Sequence, residues 1–432
     1  SSTAPLTQVW WQRVSRQSPY WLYAVSNGGS LLALLSYPFL LEPALGMKWQ
    51  AFAWAIVFTG VATLIITCVT SLIYSKSESS TSTNNESSLT DESSTTDEPP
   101  SWTAYLAWIG LSSCGSILLL AMTNHFSQNV AVVPFLWVMP LAVYLLSFIL
   151  TFSEKRIYRS SLFGSLMIVF MTICSLVYAH DEVVRNVLLL LFIHLAALFG
   201  GCMICHGELV KLKPSAKYLT NFYLAVSAGG ALGGFFISFI APQIFLQYFE
   251  YPIILTACWI IFIVVSIRDK SSYLAGGRPL WAWALIILLF ASFGSYIKRG
   301  VHRQTQDAFL LRRNFYGVLG VCETYRGDDV LFRLMHGTIL HGEQYLDPEK
   351  RNQPTSYYGR TSGLGYAMKY LDNKPNKRVG MLGLGTGTIA AYCKPGDVFR
   401  AYEINPDVID LATTNELFSY WDLFRHRNAS GV

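Results

Sequence analysis

Residues Arg378–Ala412, RVGMLGLGTGTIAAYCKPGDVFRAYEINPDVIDLA, decide how the C-terminal part of the chain is read. The pattern predicts an apolar strand over 378–382, a glycine turn at Gly383, Gly385 and Gly387, and a short helix over about 388–393. Pro395, Gly396 and Asp397 break that helix. A second strand follows over 398–402, with Glu403 at its carboxyl end. A nucleotide-type ligand needs this order. Glycines let it approach the backbone, a helix N-terminus offers free N–H groups, and a carboxylate about 20 residues on takes ribose hydroxyls. The spacing suits an S-adenosyl-type ligand as well as a dinucleotide. A merely structural strand–turn–helix unit is the alternative.

Working outward, the rest of the chain has a different character. Of its 432 residues 52% are hydrophobic and only 14% charged, against roughly 25% charged in soluble domains. That is a membrane-type composition, long enough for about two or three domains. The net charge of +5 comes without a dense Lys/Arg run, which argues against nucleic acid as a partner. The eight cysteines are scattered, and six sit in apolar segments, so no disulfide framework is expected.

About nine apolar segments of spanning length precede the opening stretch. They run over 20–41, 49–74, 102–123, 130–152, 161–178, 187–204, 219–240, 251–267 and 280–297. Most lack the polar face that a core helix of a soluble protein carries. Residues 75–100 are Ser/Thr-rich and acidic, and are expected to be a disordered loop. Gly229/Gly233 and Gly230/Gly234 are each four apart, so each pair shares a helix face and allows close helix packing. From Lys298 the apolar runs shorten to strand length. Strands are predicted over 315–323 and 330–335 around an Arg326–Asp329 turn, with another turn at His336-Gly337. The expected fold is an α-helical polytopic membrane domain over 1–297, then a second domain over 298–432. The latter divides into a small β-rich segment, 298–375, and a partial α/β Rossmann-like part, 376–432.

Other groupings are weaker. Cys202-Met203-Ile204-Cys205-His206 matches the pattern of covalent haem attachment, but inside an apolar helix small cysteines pack as ordinary apolar residues. His125, His194 and His206 lie in or beside spans without a pair of opposite charges, and are expected to be satisfied interior groups. His336, His341, Glu343, Gln344 and Asp347 cluster in sequence, but their spacing matches no standard metal site, and no metal is expected.

Arg313-Asn314-Phe315-Tyr316-Gly317, His341-Gly342-Glu343-Gln344, Leu346-Asp347-Pro348, Pro354-Thr355-Ser356-Tyr357-Tyr358 and Gly383-Leu384-Gly385-Thr386-Gly387 together resemble the spermidine synthase-like domain. The spans resemble the multi-pass region fused to that domain in some bacterial proteins, through Pro134–Val138, Cys205–Leu209 and Asn221–Gly234. The resemblance implies a β-rich piece before a Rossmann-like fold, in a bacterial inner membrane. It implies aminopropyl transfer from decarboxylated S-adenosylmethionine to a small-molecule diamine. The turn of Gly383, Gly385, Thr386 and Gly387 would then hold the methionine-derived end of the cofactor, and Glu403 the ribose. Gln344 would lie at the cofactor pocket, and Tyr357 and Tyr358 at the amine pocket. Thr386 stands where soluble members have an aspartate. The catalytic aspartate is expected beyond Val432, so the chain as given is expected to be inactive as a transferase. The expected partners are the lipid bilayer and the diamine. A homo-oligomer is left open.

The spans raise one conflict. On the N-terminal side the loops carry Arg13, Arg16, Lys76, Lys155, Arg156, Arg159, Lys211, Lys213, Lys217, Arg268, Lys270 and Arg278. The other side carries only Lys48 and Arg185. The positive-inside rule makes the first side cytoplasmic, and nine spans would leave the C-terminal domain on the other. Two alternatives therefore stand beside the aminopropyltransferase. One is a methyltransferase using S-adenosylmethionine itself. The other is a transporter or membrane scaffold with a ligand-sensing domain.

Overall fold

The structure is a computed structural model. It describes residues 7–8, 10–11, 20–79, 99–129, 135–153, 157–180, 186–268, 280–306, 308–337, 339–414 and 416–422. The described helices are α1 (Trp21–Ser36), α2 (Met47–Ser79), α3 (Trp102–Asn129), α4 (Phe135–Phe152), α5 (Ser160–Ala179), α6 (Val187–Lys211), α7 (Leu219–Phe235), α8 (Glu250–Arg268) and α9 (Leu280–Gln306). Eight of the nine expected spans are long and apolar enough to cross a membrane. The exception is α4, whose described part is shorter, residues 130–134 of that expected span lying outside the described residues. α2 continues to Ser79, into the acidic loop expected over 75–100; residues 80–98 of that loop lie outside the described residues.

Helices without a polar face satisfy their own backbone and leave side chains to lipid or to one another. Two apolar clusters hold the bundle. Met167, Met171, Leu198, Met203, Leu255 and Trp259 centre one; Trp108, Phe148, Phe222 and Tyr223 centre the other. The glycine face of α7 is used as its spacing predicts. A Cβ on Gly229 would lie 2.5 Å from the Ile109 carbonyl oxygen, and one on Gly233 2.8 Å from that of Ser113. Ser112 and Ser113 then donate to the Val226 and Gly229 carbonyls at 2.7 and 2.8 Å. Small residues bring the backbones together and hydroxyls fasten them.

The haem-like motif is packing material: Cys202, Met203, Ile204, Cys205 and His206 are all fully buried in α6. His206 meets Ser147 at 2.8 Å through Nδ1, and His194 meets the Leu190 carbonyl at 2.9 Å. The second ring nitrogen of each is buried with no hydrogen-bond partner among the described residues. His194 and His206 are thus only half satisfied.

Hydrogen bonds identify the two ends of the bundle. At one end the Tyr20 hydroxyl donates to the Pro214 carbonyl and Trp108 Nε1 to that of Leu212, each at 2.9 Å. Arg159, Lys211, Lys213 and Lys217 belong to this end. At the other end Arg303 Nη2 donates to the Tyr178 carbonyl at 3.4 Å. The sheet region sits there, on the side whose loops between helices carry only Lys48 and Arg185, although Lys298, Arg299 and Arg303 of α9 lead into it.

The sheet region follows α9 directly. β1 (Leu310–Asn314), β2 (Gly317–Arg326), β3 (Asp329–His336) and β4 (Ile339–Tyr345) form an antiparallel meander. Residues Phe315 and Tyr316, expected to be strand, are the turn between β1 and β2. After α10 (Gly363–Leu371), β5 (Arg378–Leu382) and β6 (Val398–Tyr402) pair in parallel, followed by α11 (Pro406–Thr413). The helix expected over 388–393 is a single 3₁₀ stretch, Thr388–Tyr392, because Pro395-Gly396 leaves no room for a second turn. Leu319, Val321 and Leu334 of the meander pack with Leu384, Val408, Leu411 and Phe418, so the two sheets share one core.

One ion pair fastens this unit to the bundle. Arg313 on β1 grips Glu250, the first residue of α8, with Nη2–Oε1 at 2.6 Å and Nη1–Oε2 at 3.0 Å. Its Nη1 also donates to the Gln247 carbonyl at 2.5 Å, and the guanidinium lies 4.5 Å over the Tyr248 ring. The two side chains are 2% and 1% exposed. Removing one partner of such a pair strands a buried charge, which costs about 3–5 kcal/mol, whereas replacing both removes the charge problem. Arg313→Met should therefore lower the thermal midpoint in detergent clearly more than the double variant Arg313→Met, Glu250→Leu. Equal losses in the two would show that the pair is not what couples sheet to bundle.

Candidate functional site

The glycine turn between β5 and β6 is built by its φ angles: +93° at Gly383, +57° at Gly385 and +79° at Gly387. Side chains resist this left-handed region, so glycine is required. Gly383 N–H donates to the Tyr402 carbonyl at 2.8 Å, closing the turn onto the end of β6. Glu403 then reaches back. Its Oε2 accepts Leu384 N–H at 2.8 Å and its Oε1 accepts Asn405 N–H at 2.9 Å. A half-buried carboxylate thus spans the carboxyl ends of two parallel strands.

The meander forms the opposite wall. β4 carries a bulge: Leu334 pairs with Gly342 but Met335 pairs with Leu340, so His341 is the extra residue. A bulge re-aims the side chains on either side of it. The backbone at His341-Gly342 presses on the glycine turn. A Cβ on Gly385 would be 2.5 Å from the His341 carbonyl oxygen, and one on Gly342 2.2 Å from Thr386 Oγ1.

His341 and His336 have ring centroids 5.4 Å apart. Burial pushes both pKa values below the usual histidine value. His336 depresses His341 further, and the Glu403 charge partly offsets both shifts. Both imidazoles are therefore neutral at neutral pH, beside the turn and its carboxylate.

The other expected site residues are placed as follows. Thr386 is fully buried and meets Thr388 Oγ1 at 2.8 Å. Gln344 is buried, with its amide spent internally. It donates to the Arg351 carbonyl at 2.9 Å and to Ser419 Oγ at 3.0 Å, and accepts Ser419 N–H at 2.8 Å. It fastens the 416–422 segment to β4. Tyr357 is 53% exposed and donates to the Leu340 carbonyl at 3.2 Å; its ring centroid lies 4.4 Å from that of Tyr358. Tyr358 accepts from the Tyr392 hydroxyl through its carbonyl at 2.6 Å. The two tyrosines therefore flank the 3₁₀ stretch and the start of β4.

The sequence cluster around His341 is divided by the structure. Glu343 is buried between Arg326 at 2.6 Å and Arg333 at 3.0 Å, the latter its cross-strand partner. Among the described residues no group of three or more His, Cys, Asp or Glu side chains could hold a metal ion. Asn314, Asn405 and Asp407 were given no role by the sequence. Asn314 Nδ2 donates to Asn405 Oδ1 at 2.6 Å and to Asp407 Oδ2 at 2.5 Å. Asn405 in turn caps α11 by accepting Asp407 N–H at 3.1 Å. Only an N-cap signal, Asn405 before Pro406, was available to find them.

Asp397 secures the far ends of the same strands. Its carboxylate takes Lys377 Nζ, Lys377 N–H and Lys394 N–H, each at 2.9 Å. Burial alone would raise its pKa; Lys377 and the backbone donors outweigh burial and hold it below the usual carboxylate value. A depressed folded pKa contributes stability that is fully present above the unfolded value and lost as pH falls through the folded one. The sheet region should therefore lose this contribution below about pH 4. Asp397→Asn should lower stability at pH 7 and flatten that acid limb in a pH series of thermal midpoints. An unchanged acid limb would remove Asp397 from this role.

No family model, no curated protein and no solved structure matches this chain.

Proposed function

We propose that the turn between β5 and β6 binds an adenosyl sulfonium, in a Rossmann-like arrangement, and that the chain is the greater part of a membrane-bound aminopropyltransferase-like protein whose co-substrate is decarboxylated S-adenosylmethionine. The observation that carries this is Glu403. Its two oxygens are held by backbone N–H groups across the carboxyl ends of parallel strands, where open α/β sheets take their ligands. Each carboxylate oxygen has a second lone-pair site, which leaves room for two ribose hydroxyls. At Gly383 the approach to the backbone is open, with nothing within 4 Å of an added Cβ. In such a transfer a neutral amine attacks the carbon beside the sulfonium, the thioether leaves uncharged, and positioning supplies most of the rate.

The test is binding by the 432-residue chain in detergent, followed by calorimetry with decarboxylated S-adenosylmethionine and S-adenosylmethionine. Glu403→Ala should weaken binding at least tenfold, the loss of about one charge-assisted hydrogen bond pair. Unchanged affinity would remove the site. Tighter binding of the carboxylated compound would move the assignment to a methyltransferase.

A second reading is favoured by the position of the sheet region on the side of the bundle whose loops between helices carry only Lys48 and Arg185. The positive-inside rule would put that end away from the cytoplasm, where a ligand-sensing domain on a transporter or scaffold fits better than a transferase. Tyr325, 69% exposed near the β2–β3 turn, gives the discriminating measurement. In a Cys322→Ser background, Tyr325→Cys should react with a membrane-impermeant maleimide only after permeabilisation if the transferase reading holds. Reaction in intact cells would replace that reading with the sensing one.

A further inference from the structure

Where the meander meets α3 and α4 there is a cleft of about 550 Å³, within the roughly 300–1,000 Å³ usual for small-molecule sites. Its walls change character along its depth. Leu119 and Leu120 on α3 and Leu141 on α4 supply the part along the helices. Asn124, Ser127, Tyr316 and His336 supply the part beneath the sheet. Trp137 lies between them, its Nε1 donating to Ser127 Oγ at 2.8 Å. Trp137 and Leu141 are also exposed on the flank of the bundle, so one side of the cleft faces the lipid. No Asp, Glu, Lys or Arg is among the lining residues.

These features select one kind of occupant. A charged head group would lose its water without gaining a counter-charge, which is costly. A wholly apolar molecule would cover the Asn124 amide and the second ring nitrogen of His336, whose Nε2 is already held by the Tyr316 carbonyl at 3.1 Å, and would give them nothing to bond. We infer that the cleft binds an uncharged, single-tailed amphiphile taken laterally from the bilayer, its hydrogen-bonding head toward His336 and Asn124 and its chain along Leu119, Leu120 and Leu141. His336 also belongs to the pair with His341 beside Glu403 and the glycine turn. The head of the amphiphile would therefore face the candidate sulfonium site. Calling the amphiphile the acceptor, in place of a free diamine, rests on the transferase reading; its binding in the cleft does not.

The full chain in nanodiscs, photolabelled with a diazirine-bearing hexadecanol and mapped by mass spectrometry, tests this. Label should concentrate on peptides covering 119–127 and 137–141. Unmodified hexadecanol should compete, and hexadecanoate and hexadecyltrimethylammonium should not. Leu120→Trp, which fills the cleft from the helix side, should cut labelling at least fivefold. Ile339→Trp fills it from the sheet side at a position already 48% exposed, so it decides the matter if Leu120→Trp does not fold. Label spread evenly along lipid-facing helices such as α2, equal competition by the charged amphiphiles, or label indifferent to Ile339→Trp would each overturn the inference. Sulfonium binding measured on the same samples separates the two proposals. In the unsubstituted chain, sulfonium binding without competable label on 119–127 and 137–141 sinks the cleft alone, and such label without sulfonium binding sinks the transferase alone.

Discussion

The Arg313–Glu250 fork is the constraint on which the rest of the arrangement depends. A sheet region tethered only by the end of α9 would be free to swing. Instead, β1 is held at the mouth of the bundle by two charged groups that are almost wholly buried, with a carbonyl and an aromatic face completing the guanidinium's surroundings. A pair of this kind contributes little net stability compared with apolar residues of equal shape, but it strongly penalises every geometry in which either charge is buried alone. Its effect is therefore orientation. With β1 fixed, the β1–β2 turn lies over α3, and Asn314 reaches Asn405 just beyond β6.

The candidate site depends on a second local device, the bulge in β4. Without the extra residue at His341, the alternation of the strand would carry His341 and Glu343 to the same face. The bulge lets Glu343 pair with Arg326 and Arg333 while His341 turns to His336 and the glycine turn. Gly342 is part of the same device. Its φ of +147° and the 2.2 Å separation that a Cβ would have from Thr386 Oγ1 leave no space for a side chain.

How much of this was legible in the sequence follows from the range of each interaction. The membrane helices were legible because a run of apolar residues with no polar face has few other solutions. β5, β6 and the glycine turn were legible because glycine spacing and strand composition are local. β1 was not, since Leu310–Asn314 includes two arginines and an asparagine, and becomes a strand through its pairing with β2 and the burial of Arg313. The bulge at His341 leaves no compositional mark, so His341, Glu343 and Gln344 read as one cluster when each faces a different partner. Gln344 was expected at a cofactor; its amide instead holds Ser419 and Arg351, residues 75 and 7 positions away. An internal echo also went unread. Ala24-Val25-Ser26-Asn27-Gly28-Gly29 in α1 returns as Ala225-Val226-Ser227-Ala228-Gly229-Gly230 in α7, and each helix then passes through a π-helical turn, Tyr37–Leu41 and Phe236–Ile240.

That echo bears on what the bundle is for. α1 and α7 both start at the end of Tyr20 and Pro214 and break near the sheet end, so the two copies run in the same direction. The two copies are used differently. The glycines of α7 are closed against α3, whereas added Cβ atoms at Gly28 and Gly29 would meet nothing within 4 Å. α3, gripped by α7 on one side and lining the cleft on the other, is thereby held as a fixed wall. A fixed wall suits a bundle that presents a bilayer-borne molecule to a site at its end better than one that moves a solute through its centre.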